Sequence, residues 1–141
     1  MGTGVCRGSG AQRRAYRVLK QKDFARWQLA EALPDAALCK AVHEMELGLV
    51  DADLGGMLFK KRIARAGQGK RGAYRAVLSA RIGNRYVFLH GFAKRDVGNI
   101  CRAEAVALRM AGKVFLSMSA GALIKACADL DLMEVCCESH H

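Results

Sequence analysis

LFKKRIARAGQGKRGAYRAVLSARIGNRYVFLHGFAKR, residues 58–95, decides the fold. It contains three strand-like runs, Leu58 to Ala64, Ala73 to Arg81 and Arg85 to Ala93. Gly67, Gly69 and Gly72 punctuate the first gap, and Ile82-Gly83-Asn84 makes a tight hairpin turn in the second. Connections this short imply antiparallel neighbours. Side chains on a strand alternate between its two faces. Lys60 and Arg62 therefore share a face with Leu58 and Ala64, opposite Phe59, Lys61 and Ile63. Arg75, Val77, Ser79 and Arg81 share a face of the second strand. In the third, Tyr86, Phe88, His90 and Phe92 alternate with Arg85, Val87, Leu89 and Gly91. A concave sheet face then gathers Lys60, Arg62 and Arg75, with Lys94 and Arg95 closing its rim just past the third strand.

The same stretch carries the charge of the whole chain. The 141 residues hold 23 Lys+Arg against 13 Asp+Glu, a net charge of +10. Between Asp53 and Asp96 there is no acidic residue, while Lys60, Lys61, Arg62, Arg65, Lys70, Arg71, Arg75, Arg81, Arg85, Lys94 and Arg95 all fall there. Outside it, basic and acidic residues nearly cancel. A solvated charge run usually mixes signs. A structured segment of one sign reads better as a surface for a polyanion. Lys60, Arg62, Arg75, Lys94 and Arg95 are the candidate catalytic residues, and Lys61, Arg65, Lys70, Arg71, Arg81 and Arg85 the candidate RNA-binding ones.

Working outward, residues 1–15 are Gly-rich and basic without apolar periodicity, which predicts a disordered arm. Tyr16 to Leu19 predicts a short edge strand. Asp23 is positioned to cap a helix running to about Leu33, and Pro34 opens a second with Leu38, Val42, Met45 and Leu49 as its buried stripe. Gly48 and the DADLGG segment end it, leaving a helical hairpin. Past the third strand, residues 96–116 predict a helix with Ile100, Val106, Met110, Val114 and Phe115 as its apolar set. Ser117 or Ser119 caps another over 120–130, Leu132 to Val135 is strand-like, and 136–141 is a fraying tail. The expectation is one α+β domain over residues 16–135.

Other function classes fit poorly. No apolar run approaches the ~20 residues of a spanning helix, and the N-terminus lacks the apolar core of a secretory signal. Six cysteines, at positions 6, 39, 101, 127, 136 and 137, form no CxxC pair and no zinc spacing, which predicts free thiols in a reducing cytoplasm. The glycines of RAGQGKRG do not follow the GxxxxGK[ST] order of an NTPase. The basic stretch has no carboxylate to hold Mg²⁺, so neither a metal nor another cofactor is called for. Cations on one face bind a phosphodiester, and they also stabilise the charge that develops when a ribose 2′-hydroxyl attacks phosphorus. Phosphate binding alone and RNA cleavage are both open on spacing. His90 is a candidate acid/base, with a core or rim histidine as the plainer reading.

FARWQLAEALPDAALCKAVHEMELGLVDADLGG followed by FKKRIARAGQGKRGAYRAVLSARIGNRYVFLHGFAKRDVGNI resembles the RelE/HigB-type toxins of bacterial type II toxin–antitoxin systems, in particular their phage-derived RelE-like branch. The most specific segments are DADLGG, KxRxARxGxGKxGxYR and GFAK. The resemblance implies a helical hairpin over a small antiparallel sheet closed by C-terminal helices. It implies a ribosome-associated mRNA endonuclease that inhibits translation, and a cognate antitoxin, a small helix-turn-helix protein. It places the active site on Lys60, Arg62 and Arg75, with Lys94 or Arg95 as a further basic residue. Cys101 stands where some relatives carry a tyrosine. Relatives built as ParE-type topoisomerase poisons, and inactive nucleic-acid-binding copies, are the alternatives.

Overall fold

Residues 16–64, 74–93 and 100–137 are described by the computed structural model of the chain. Three of its strands follow the period-two reading closely: β3 (Leu58–Ile63), β4 (Tyr74–Arg81) and β5 (Arg85–Ala93) pair antiparallel in sequence order. The remaining elements are β1 (Arg17–Gln21), α1 (Lys22–Ala30), α2 (Asp35–Glu46), β2 (Ala52–Gly55), α3 (Arg102–Leu116), α4 (Ala120–Ala128) and β6 (Leu132–Glu134). One six-stranded sheet results, ordered β2-β3-β4-β5-β1-β6.

The sheet is mixed, which corrects the expectation of a small antiparallel one. β1 runs parallel to β5 and antiparallel to β6, so it is an interior strand and not an edge. Its sequence explains the position. Val18 and Leu19 point to opposite faces and both are buried, as a strand covered on two sides requires. β1 also precedes the helices, and α1 and α2 each lie on the sheet. Their face holds Phe24, Leu38, Val42, Met45, Tyr74, Leu78, Tyr86 and Phe88, and the other face packs Leu58, Val77, Val87, Leu116 and Leu123.

Local chemistry moves several element ends from their expected places. Gln21, not Asp23, caps α1: its side-chain oxygen accepts from the Asp23 N–H at 2.9 Å. The helix stops at Ala30 because the next turn is held by buried Gln28. Its amide donates to Leu33 O and to Asp35 Oδ1, both at 2.8 Å, and accepts from Lys20 Nζ at 2.8 Å. α2 ends before Gly48, whose φ of +92° suits glycine. Leu49 therefore falls outside the helix and is exposed, not part of its stripe. DADLGG is not a helix stop: it supplies β2 and the turn into β3. Ser119 caps α4, accepting from the Ala122 N–H at 3.1 Å.

α3 departs most from the pattern. It begins at Arg102, and Val106, Met110 and Val114 of its expected buried set are 45%, 65% and 56% exposed. Its inward side is instead Gly112 and Leu116, with Leu108 and Phe115 partly buried. Two contacts set this rotation about the helix axis. Gly112 lies directly over Ser79, and Arg109 donates from Nε to Gly55 O at 3.1 Å and from Nη2 to Leu54 O at 2.8 Å.

The cysteines are not all free thiols. Cys39 of α2 is bonded to Cys137, 98 residues away, and Cys136 is also disulfide-bonded, leaving Cys101 and Cys127 free. The pairing is invisible in the spacing because it depends on β6 docking against β1, which brings the chain after Glu134 back to α2. Residues 1–15 and 138–141, which include the expected arm and most of the expected tail, lie outside the described residues. No single helix among the described residues is long and apolar enough to cross a membrane.

Candidate functional site

The pairing register brings the expected residues together. Arg62 of β3 is directly opposite Arg75 of β4, and Lys60 is opposite Val77. Across β4–β5, Val77 is opposite His90 and Arg75 is opposite Phe92. Lys60, Arg62, Arg75, His90 and Phe92 thus occupy neighbouring positions on one face. The Leu58, Val77 and Val87 part of that face is buried with Leu116 and Leu123. At the Arg62 end, Arg62 is exposed and Lys60, Arg75 and His90 are half-buried.

A β-bulge makes this face possible and corrects the simple alternation expected for β5. Leu78 pairs with Phe88 while the preceding Val77 pairs with His90, so Leu89 is an extra residue. Tyr86 and Phe88 consequently enter the α1/α2 core, whereas Phe92 turns to the other cluster. His90 packs beside Phe92 with ring centroids 5.9 Å apart.

Two guanidinium groups directly opposite on a sheet repel, and Asp51 answers that charge. Its Oδ2 pairs with Arg75 Nε at 3.1 Å, and its Oδ1 accepts from the Arg62 backbone N–H at 3.2 Å. Its own N–H donates to Lys60 O at 2.9 Å. Arg75 Nη1 is buried and has no acceptor among the described residues. Sequence reasoning missed Asp51, because it counted carboxylates along the chain and found none in the cationic stretch. The usable signal was Gly55-Gly56 between DADL and LFKK, a hairpin turn that folds the acidic segment back onto the basic one.

Not every expected cation reaches this face. Lys61 is a correction: it points to the opposite side, is buried, and pairs with Glu44 of α2 at 2.8 Å. Strand alternation puts it there, and burial demands the partner. Lys61→Ala should therefore lower stability by about 1–3 kcal/mol, below the ~3–5 expected for a fully buried pair because Glu44 keeps contact with water. Urea unfolding of parent and variant is the measurement that checks it. Arg85 is a second correction. Its Nη1 donates to Phe115 O, Leu116 O and Met118 O at 2.9, 3.2 and 3.0 Å and so caps the end of α3. Burial lowers its pKa from the usual arginine value. Arg81 is exposed at the far end of β4, roughly 20 Å along the strand from Arg75. Arg65, Lys70, Arg71, Lys94 and Arg95 lie outside the described residues. Cys101 precedes the first turn of α3, its N–H donating to Glu104 Oε1 at 3.1 Å.

No group of three or more His, Cys, Asp or Glu among the described residues is arranged to hold a metal ion. Among the described residues the chemistry on offer is cationic: two arginines and a lysine on one face, an imidazole beside an aromatic ring, and a carboxylate paired with one of the arginines.

The described residues form an α+β domain whose six-stranded sheet carries this cationic corner on one face. Residues 16–135 match the family described as the RelE toxin of the RelE/RelB toxin–antitoxin system, and the chain belongs to that family. No individual curated protein matches it. RelE toxins pair with antitoxins in such systems.

Proposed function

We propose that the chain is a ribosome-associated, metal-independent mRNA endonuclease of the cytoplasm that inhibits translation, and that a cognate antitoxin, a small helix-turn-helix protein, restrains it. The observation that carries this reading is the Arg62–Arg75 cross-strand pair with Lys60 and His90 on the same face. In the proposed reaction the 2′-oxygen forms a bond to phosphorus and the bond to the 5′-oxygen breaks. A base takes the 2′-hydroxyl proton, and an acid returns a proton to the 5′-oxygen. Negative charge grows on the non-bridging oxygens in the transition state, and Arg62 and Arg75 would stabilise it. Lys60 and His90 are the candidate proton carriers. Lys94 or Arg95 would close the rim, and Arg65, Lys70, Arg71 and Arg81 would track the RNA backbone.

Induction of the chain alone, with mapping of mRNA ends, tests the reading. The expected result is translation arrest with cuts inside translated codons and 2′,3′-cyclic phosphate termini. Arrest with intact mRNA and stalled DNA replication would instead point to a topoisomerase poison, and no arrest to an inactive copy.

A further inference from the structure

The three candidate catalytic residues on β3 and β4 are joined by one acidic residue from outside the cationic stretch, through its backbone as well as its carboxylate. Asp51 accepts from the Arg62 N–H at 3.2 Å, donates its own N–H to Lys60 O at 2.9 Å, and pairs through Oδ2 with Arg75 Nε at 3.1 Å. We infer that Asp51 is a positioning residue of the RNA-cleaving site, fixing the orientation of the Arg75 guanidinium before RNA arrives. The inference rests on the endonuclease reading above and adds to it a residue that never touches RNA.

The geometry defines the role. A guanidinium can grip a phosphate by its side edge, which includes Nε, or by the end edge formed by Nη1 and Nη2. Asp51 occupies Nε on the side edge, and that contact fixes the orientation of the whole planar group. The arrangement also settles a conflict of like charges. Arg62 and Arg75 are directly opposite, and Asp51, reaching in from the β2 side of β3, supplies the counter-charge that holds Arg75 beside Arg62. The side chains of Asp51 and Arg75 are 25% and 23% exposed, so the pair is partly shielded and less screened than a surface ion pair. Holding the donor in place before RNA arrives removes an ordering cost from the chemical step, and the effect belongs on the rate more than on binding.

Asp51 is poorly placed as the general base. One oxygen already accepts from the Arg62 N–H and the other faces the Arg75 guanidinium. A positioning role and a base role also predict different couplings. A positioning residue loses its effect when the residue it positions is removed, whereas a base does not.

The experiment is a double-mutant cycle in the full chain, read by single-turnover cleavage on programmed ribosomes, with ribosome affinity and thermal melting measured beside it. Asp51→Ala should lower the cleavage rate roughly 10–30-fold, a fraction of what losing the donor itself does. Ribosome affinity should change less than about threefold, since many other cations share it. In the Arg75→Ala background the same substitution should lower the rate by less than about twofold. Asp51→Asn, which keeps an oxygen for the Arg62 N–H but loses the charge facing Nε, should fall between parent and Asp51→Ala. It also serves as the readable variant should the alanine form unfold. Equal losses in both backgrounds, a parent-like rate for Asp51→Ala and Asp51→Asn, or a rate that merely follows the folded fraction would overturn the inference. A parent protein that leaves mRNA intact would overturn the endonuclease reading itself, and the positioning role with it.

Discussion

Arg75→Ala should lower single-turnover mRNA cleavage on ribosomes by ~10²–10³-fold, as loss of one preorganised charge-stabilising donor commonly does. Ribosome binding should weaken far less, because the remaining cations of a +10 chain still engage phosphate. The contrast follows from timing. In the proposed reaction, ground-state phosphate charge would be shared among many side chains, while the charge added in the transition state would fall to Arg62 and Arg75, which are opposite each other across β3 and β4. Arg75 is also the more constrained of the two, with its side chain 23% exposed and its Nε on Asp51, whereas Arg62 is exposed. Arg62→Ala should therefore lose less than Arg75→Ala. A merely structural Arg75 would show a lowered melting temperature with residual activity proportional to the folded fraction. A folded Arg75→Ala protein cleaving at the parent rate would remove Arg75 from the active site.

Gly112→Ala should destabilise the protein by about 1–3 kcal/mol, although the same change in an isolated helix is stabilising by ~1 kcal/mol. A Cβ at position 112 would lie 1.7 Å from Ser79 Oγ and 2.6 Å from Ser79 Cβ. Turning the hydroxyl relieves the first contact but not the second, so α3 must lift from β4. The overlap outweighs the helical gain, and packing of Leu116 and Leu108 is lost with it. At roughly 4 °C per kcal/mol for a domain of this size, the melting temperature should drop by about 4–12 °C. Ser79→Gly, introduced into the Gly112→Ala chain, should recover part of the loss by removing the opposing Cβ. A melting temperature at or above that of the parent would show that α3 has room to adjust, and that the close approach is not what sets its rotation.

Local patterning was enough for much of this molecule. Two-residue alternation and glycine-bounded turns located β3, β4 and β5, and short connections made them antiparallel neighbours. The same alternation put Lys60, Arg62 and Arg75 on one face and Lys61 on the other. Each of these features depends on residues close in the chain, whose geometry is limited by backbone sterics and side-chain period. The cation-only stretch from 60 to 95, together with the ordered motifs around it, pointed to the RelE toxin family that residues 16–135 match.

Tertiary structure decided what depends on distant segments meeting. Tyr16 to Leu19 reads as an edge until β6 arrives from the other end of the chain and makes β1 an interior strand. Val106, Met110 and Val114 read as a buried set, yet the approach of Gly112 to Ser79 and the Arg109 bonds to the β2 backbone turn them outward. Cys39 and Cys137 meet across 98 residues. The bulge at Leu89 redirects His90, and Arg85 is drawn from the RNA-binding candidates to cap α3. Asp51 joins the basic corner only because β2 folds back on β3. Periodicity tells which side chains share a face of one element, but the rotation of a helix and the partner of a charge are set by the surfaces that element meets.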